Sequence, residues 1–404
     1  MKKVSIICYA CSPYQGSEAG VGWGILSNLA KEMELIAFVE TEKFKPDLDK
    51  YLANFPNSAV AKNVEFIFIR KKRRRILRKI WPPSYYWYYK KWHKNVYNIL
   101  RDKVRKGEIS LIHQVTMVGF REPGYSWKLN VPFVIGPIGG LGFVRLRDFK
   151  YFDLYGKFYY FCFNVINFFH TFFSIRVYRA WKKANCGTVG ILAADIINAK
   201  YIQKLTSNKP IIIPEVGPPY QFNKSSIKQK SNEKLRLIWV GNIENRKGLV
   251  ILLQALKDLK RPYEMNIFGD GPLMNKMKNY SLSNCIDAQF HGQLSRECIL
   301  KNMALSDLLV FTSLRDLSAT VTIEANNCGL PVVCFNRGGF SKWLCPKSNF
   351  ILDGNSNLVN LLYNFLENYD VQQGQLNDEI QINKLFNWEN KVRVIQDIYI
   401  KKSN

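Results

Sequence analysis

"VGNIENRKGLVILLQAL", Val240–Leu256, is the stretch whose reading decides the fold. A short apolar run closes at Gly241 and a polar loop follows. From Gly248 onward apolar residues recur at helical spacing, so the order is strand, loop, helix. Arg246 and Lys247 end the loop, directly before Gly248. Two cations at a helix start add to the helix dipole and to the free N–H groups of the first turn, which makes an anion site. Taken alone, the same loop also reads as a solvated basic turn.

Outward from this stretch, the second half of the chain alternates strand and helix. "LRLIWVG", "YEMNIFGDG", "AQFHGQ", "DLLVFTS" and "LPVVCFN" are short apolar runs separated by helical patterns. The first half does the same with "VSIICYA", "LIAFV", "VEFIFI", "ISLIHQV" and "VPFVIG". Such alternation predicts parallel sheets covered on both faces. The polar stretch "NKSSIKQKSNEK", Asn223–Lys234, predicts a boundary. A first domain is expected over residues 1–220, a second over 235–385, and a terminal helix over 386–404 that is able to cross back to the first. The expected fold class is α/β, with two doubly wound Rossmann-like domains facing a cleft and ligands just beyond the strand C-termini.

Within "TSLRDLSATVTIEANNCGLPVV", Thr312–Val333, Asp316 and Glu324 lie eight apart. A helix start falls between them at Ser318–Thr320, and Gly329 and Pro331 close the helix before the next strand. Two acids around a helix start suit the hydroxyls and phosphates of a sugar nucleotide; the same spacing also reads as one exposed helix face. "FGDGP", Phe268–Pro272, is a tight turn after a strand.

In this order "GNIENRKG", "FGDGP", "FHGQL" and "SLRDLSATVTIEANNCGLPVV" resemble the C-terminal half of the retaining family 4, or group 1, glycosyltransferases. "GSEAGVGW", "HQVTMVGFREPG", "PFVIGPIGG" and "IIIPEVG" continue the resemblance through the first half, leaving aside residues 42–105 and 145–180. The resemblance implies a GT-B, twin-Rossmann architecture whose C-terminal domain holds a nucleotide-diphosphate sugar. Arg246 and Lys247 would then grip the donor diphosphate. Glu324 matches the second acid of the family's paired-Glu motif and would bind the ribose. Asp316 stands where the family has the first Glu, toward the donor sugar, and is one methylene shorter. The backbone at Ser318, Ala319, Thr320 and Val321 would meet the phosphates. His291 of "FHGQL" would edge the base, with Gly241 and Gly269 in the bordering turns, and His113 would lie near the transferred sugar.

The loop after the first strand, "GSEAGVGWG" (Gly16–Gly24), is implied to approach donor and acceptor, with Gly16, Ser17, Gly20 and Gly22 letting backbone N–H groups come close to an anion. Glu18 reads as a helix-start carboxylate or as a group orienting an acceptor hydroxyl. "GVGWG" followed by Glu40 also imitates a dinucleotide fingerprint, but its spacing is G-x-G-x-G.

The implied chemistry follows from charge. Breaking a sugar–diphosphate bond builds negative charge on the leaving group, where Arg246 and Lys247 would stabilise it. No side-chain nucleophile stands out, so front-face attack by the acceptor is expected, with retention of configuration. No cluster has metal-ligand spacing, so no metal and no cofactor are expected, the nucleotide sugar being a substrate.

Net charge is +26. Residues 1–220 carry 35 Lys/Arg against 15 Asp/Glu, so most of the excess lies there. Arg70–Lys106 alone holds 15 Lys/Arg and one acid, Asp102. Its cations and aromatic residues, among them Arg73, Arg74, Arg75, Trp81, Trp87 and Trp92, are expected to bind an anionic membrane surface. A solvated basic face is the alternative, and nucleic acid ranks last. "FYYFCFNVINFFHTFFSI", Phe158–Ile175, reads as a second membrane-facing surface or as a core helix. It is too polar and short to span a bilayer.

Nine cysteines show no paired framework and read as buried thiols of a reducing compartment. Cys8 and Cys11 have redox-motif spacing with no second pair. No targeting segment is read. The resulting expectation is a cytoplasmic, peripheral glycosyltransferase, of hexosyltransferase type. It would act at the inner face of the cell membrane on a lipid-linked or saccharide acceptor in surface polysaccharide biosynthesis. Two alternatives stay open. One is a non-catalytic membrane- or RNA-binding protein on the same scaffold, the other a sugar-nucleotide epimerase. The base, the sugar and the linkage are not legible.

Overall fold

The apolar runs form two parallel sheets. In the first, β1 (Lys3–Ile7), β2 (Leu35–Glu40), β3 (Val64–Ile69), β4 (Ile109–Gln114), β5 (Phe133–Ile138), β6 (Ile191–Ala193) and β7 (Ile211–Ile212) lie in the order β3-β2-β1-β4-β5-β6-β7. In the second, β8 (Leu235–Val240), β9 (Tyr263–Phe268), β10 (Ala288–Gly292), β11 (Leu308–Phe311), β12 (Val332–Phe335) and β13 (Phe350–Leu352) lie in the order β10-β9-β8-β11-β12-β13. Every β2 residue is buried, as a strand with both faces covered requires. The computed structural model describes residues 2–71, 84–116, 119–215, 234–317, 319–342, 344, 349–354, 357–371 and 387–403.

The chain divides into two units. Unit 1 comprises Met1–Leu141, Asn167–Gly217 and Lys384–Asn404; unit 2 comprises Gly142–Ile166 and Pro218–Asn383. In unit 1 the strands are joined by α1 (Ser17–Leu29), α2 (Thr41–Asn54), α3 (Ala59–Asn63) and α4 (Ser84–Arg105). Later come α5 (Leu154–Phe173), which enters unit 1 at Asn167, α6 (Ile175–Ala184) and α7 (Ile196–Thr206). In unit 2 the strands are joined by α8 (Leu249–Lys257), α9 (Met274–Ser283), α10 (Arg296–Leu305), α11 (Thr320–Asn327) and α12 (Leu358–Asn368). The predicted boundary stretch falls outside the described residues up to Glu233.

The terminal helix α13 (Trp388–Ser403) belongs to unit 1. Val392, Ile395, Ile398 and Tyr399 are buried in the unit 1 core, and the Trp388 ring lies on Gly24 of α1. A Cβ at Gly24 would stand 2.1 Å from that ring, so glycine here makes room for the helix.

One expectation is corrected. Residues 142–166 were read as part of the first domain, but they cluster with unit 2. The reason is a set of polar ties. Asp148 and Arg337 form a buried ion pair (Nε to Oδ2, 3.0 Å), both side chains 3% exposed. Asn245 accepts from the Asp153 N–H and donates to its carboxylate, both at 3.1 Å. The Leu358 N–H donates to the Tyr151 hydroxyl at 2.8 Å. Val144, Phe152 and Tyr160 complete the packing inside the unit 2 core.

Candidate functional site

In both sheets the strand order reverses beside the first strand of the unit, between β1 and β4 and between β8 and β11. Open parallel sheets bind ligands beyond the strand C-termini at such a switch point. In unit 2 the residues there are the Arg246–Lys247 loop after β8 and the Asp316 loop after β11.

Glycines bring the neighbouring strand ends together. Gly241 N–H donates to Phe268 C=O (3.0 Å), and Gly269 N–H to Gly292 C=O (2.8 Å). Gly269 has φ of +133°, and a Cβ on it would sit 1.8 Å from the Gly241 oxygen, so no other residue fits. His291 stacks on Phe268 with ring centroids 4.6 Å apart, and its Nε2 lies 2.6 Å from Asn266 Oδ1.

Arg246 and Lys247 occupy a short 3-10 turn, Asn245–Lys247, and Gly248 in the left-handed region (φ +65°) leads into α8. Both cations meet carboxylates. The Lys247 ammonium pairs with Asp316 and lies 5.4 Å over the Phe311 ring. Arg246 reaches Glu244 at 2.8 Å, Asp316 at 3.7 Å and the Arg315 carbonyl at 3.1 Å. The loops are stitched by Leu314 N–H to Arg246 C=O (2.8 Å) and Thr312 hydroxyl to Lys247 C=O (2.9 Å). Burial alone would raise the Asp316 carboxyl. Lys247, Arg246 and the Leu317 N–H overcome this and hold it below its ordinary value. Asp316 is therefore the counter-ion of Lys247 and Arg246.

At the start of α11, Ala319 stands in the left-handed region (φ +40°), and its carbonyl accepts from both the N–H and the hydroxyl of Thr322, each at 2.8 Å. Thr320 and Val321 form the first turn. Ser318 lies outside the described residues. Glu324 is on the same helix, and Arg296, the first residue of α10, reaches its Oε1 at 2.7 Å. Burial pushes the Glu324 carboxyl up, and Arg296 only partly offsets this. Arg296 escaped the sequence reading. Its signal was a cation in the first turn of a Ser295-capped helix, where the dipole disfavours it. Among the described residues no group of three or more His, Cys, Asp or Glu side chains is placed to hold a metal ion.

Unit 1 requires several corrections. His113 is fully buried, with Nδ1 at 2.6 Å from the Tyr399 hydroxyl and Nε2 at 2.9 Å from the Gly136 carbonyl. Both ring nitrogens are thus engaged in holding α13 and β5, so His113 is structural and does not meet a sugar. Gly16 caps α1, with Ser17 and Glu18 in the first turn, as the helix-start reading of Glu18 expects. Gly20 and Gly22 lie inside the helix. A Cβ at Gly22 would be 2.2 Å from the Ala10 oxygen and 2.6 Å from Cys8 Sγ, so this glycine serves helix–strand packing and not anion contact. Glu40 caps α2, accepting from Glu42 and Lys43 N–H at 3.0 and 2.8 Å, and so is no ribose ligand. Trp92 is fully buried, its indole N–H donating to the Ile69 carbonyl (2.9 Å), so it cannot touch a membrane. Trp87 on the same helix is 63% exposed. Arg73, Arg74, Arg75 and Trp81 lie outside the described residues.

Burial of imidazole gives a pH prediction. Burial lowers His113 from 6.5 to about 4, against the bond to Gly136, and lowers His93 to about 3 with help from Arg176. Both folded values are depressed. Their contribution is therefore full above pH 6.5 and is lost as pH falls, completely only below the folded values. Urea unfolding at pH 7.5 and 5.0 should differ by about 2 kcal/mol for each histidine. Equal stability at the two values would remove this account of His113.

Residues 221–378 match the model of the family described as glycosyl transferases group 1. That region of the chain is thus similar to group 1 glycosyltransferases. The whole candidate site around Lys247, Asp316 and Glu324 lies inside the matched region. A relative in Methanocaldococcus jannaschii, the uncharacterized glycosyltransferase MJ1059, is 30% identical over 183 residues, 39% of this chain and 43% of that protein. In Bacillus subtilis the putative teichuronic acid biosynthesis glycosyltransferase TuaC is 23% identical over 182 residues, 42% of this chain and 44% of that protein. The chain thus spans less than half the length of these curated relatives. Among solved structures, Anabaena HepE in complex with UDP is similar with a TM-score of 0.58 at 14% identity, covering 100% of this chain and 97% of that one. That likeness is one of fold, and the two doubly wound parallel units of this chain are of the GT-B type.

Proposed function

We propose that the protein is a retaining hexosyltransferase. It moves a sugar from a nucleotide-diphosphate donor to a lipid-linked saccharide acceptor, on the cytoplasmic face of the cell membrane, in surface polysaccharide synthesis. The observation that carries the reading is the joining of Lys247 and Arg246 to Asp316 at the unit 2 switch point, inside the region similar to group 1 glycosyltransferases. HepE was solved with UDP, which supports a nucleotide donor. The name of TuaC supports a polysaccharide product.

In this reading the donor diphosphate displaces Asp316 from Lys247, and Arg246 spans the second phosphate. Asp316, released from Lys247, then faces the donor sugar. The first turn of α11 presents N–H groups to the diphosphate, and Glu324, oriented by Arg296, takes the ribose hydroxyls. As the sugar–phosphate bond breaks, charge grows on the phosphate oxygen next to these fixed positive groups. The acceptor hydroxyl attacks the same face and gives its proton to the departing phosphate oxygen, so configuration is retained. No metal is assigned a step. A panel of nucleotide sugars scored for slow donor hydrolysis and thermal shift tests the reading. One donor should be hydrolysed and raise the melting temperature. If no donor does either, the non-catalytic scaffold replaces this proposal.

A further inference from the structure

The unit 1 end of α5 is amphipathic in the inverted sense. Its inner face is polar. Asn167 is fully buried, accepting from Arg121 Nε and Nη2 at 3.2 and 2.9 Å and donating to the Gly140 and Leu141 carbonyls at 3.1 and 3.3 Å. Thr171 is buried beside it. Its outer face is aromatic: Phe168, Phe169, Phe172 and Phe173 are 41–66% exposed, and Ile175 and Tyr178 continue the patch onto α6. A surface helix in water has the opposite arrangement. Six large apolar side chains exposed within eleven residues require a partner.

The charges around this face point to one partner. Glu122 bridges Lys90 of α4 (3.0 Å) and Arg176 of α6 (3.3 Å), so these helices adjoin. His170 of α5 lies in the field of Arg121, Lys90 and Arg176. Exposed Trp87 is one turn before Lys90. Residues 167–184 contain four Lys/Arg and no Asp or Glu. A second copy of the chain would set like charges against each other. An anionic bilayer takes the cations at its headgroups and the aromatic side chains at the acyl boundary.

We propose that the outer face of α5 from Phe168, with Ile175, Tyr178 and Trp87, inserts into the headgroup layer of an anionic phospholipid bilayer. The inference deepens the membrane reading of the proposed function and rests on it. It moves the contact from the basic run at 70–79 to an apolar surface that cations flank.

Co-sedimentation with phosphatidylglycerol–phosphatidylcholine vesicles and with pure phosphatidylcholine vesicles tests it. The unaltered protein should bind the anionic vesicles. Replacing Phe169, Phe172 and Phe173 together by Ser should weaken partitioning about 100-fold. Trp87→Ser, which removes one exposed side chain and decides the matter if the triple variant does not fold, should weaken it about fivefold. Raised salt should weaken the unaltered protein only in part, because screening spares the apolar contact. The thermal shift given by the diphosphate that the donor panel identifies should be the same in all variants. If no diphosphate shifts the unaltered protein while it still binds anionic vesicles, the donor reading is removed and this one stands. The proposal is overturned if the serine variants bind like the parent. It is equally overturned if the parent stays in the supernatant with anionic vesicles, whether as a monomer or self-associated.

Discussion

Lys247→Ala is expected to lower turnover about 100- to 1,000-fold, as loss of one preorganised stabilising group does, corresponding to about 3–4 kcal/mol in the barrier. The ammonium is held by Asp316 and the carbonyl of its own turn is held by Thr312, so the charge is in place before a donor arrives. Preorganisation is the source of the effect, since nothing has to reorient as the phosphate leaves. Arg246 remains in the variant, still tied to Glu244, and keeps some affinity for the diphosphate. The loss should therefore fall more on kcat than on KM. Lys247→Arg should restore little, because a planar guanidinium does not fit the place of a compact ammonium above Phe311. Donor hydrolysis by the purified variants is the measurement; turnover within threefold of the parent would remove Lys247 from the mechanism.

The second large effect concerns stability. Asp148→Ala should destabilise unit 2 by about 3–5 kcal/mol, because it strands a buried guanidinium. Arg337 would keep its bonds to the Asn336 and Gly354 carbonyls, at 3.3 and 2.9 Å, but no counter-charge. Replacing both members, Asp148→Ala with Arg337→Met, should recover most of the loss, since an apolar side chain carries no desolvation cost. Denaturant unfolding of the three variants reads this directly. A single variant as stable as the parent would show that residues 142–166 are not tied to unit 2 by this pair.

Much of this was legible, and for physical reasons. The strands are short apolar runs bounded by Gly, Pro and Asn, and parallel strands buried on both faces need nothing else. The turn at Gly269 was legible because only glycine allows strand ends so close. The fate of α4 was misjudged because composition was weighed above phase. Tyr89, Trp92, His93, Val96 and Leu100 follow helical spacing and are all buried, whereas Trp87, off that stripe, is exposed. His113 was not legible at all. Its burial depends on Tyr399, 286 residues away, and no local pattern announces that contact. The α5 helix was ambiguous because aromatic residues occupy both faces in sequence; the inward turn of Asn167 and Thr171 settles which face meets solvent. Residues 142–166 are rich in aromatic residues that do not say which core they join, and their place is fixed by polar ties to distant side chains and by Val144, Phe152 and Tyr160 in the unit 2 core.

The central claim is that the Arg246–Lys247 turn of unit 2 receives a diphosphate. Calorimetric titration of nucleoside diphosphates and their parent nucleosides into the protein and into Lys247→Ala tests it most directly. The account predicts that one diphosphate binds at least about 100-fold more tightly than its nucleoside, and that Lys247→Ala narrows that difference about tenfold, Arg246 keeping the rest. It is contradicted if no diphosphate binds, or if the bound one holds to Lys247→Ala as tightly as to the parent.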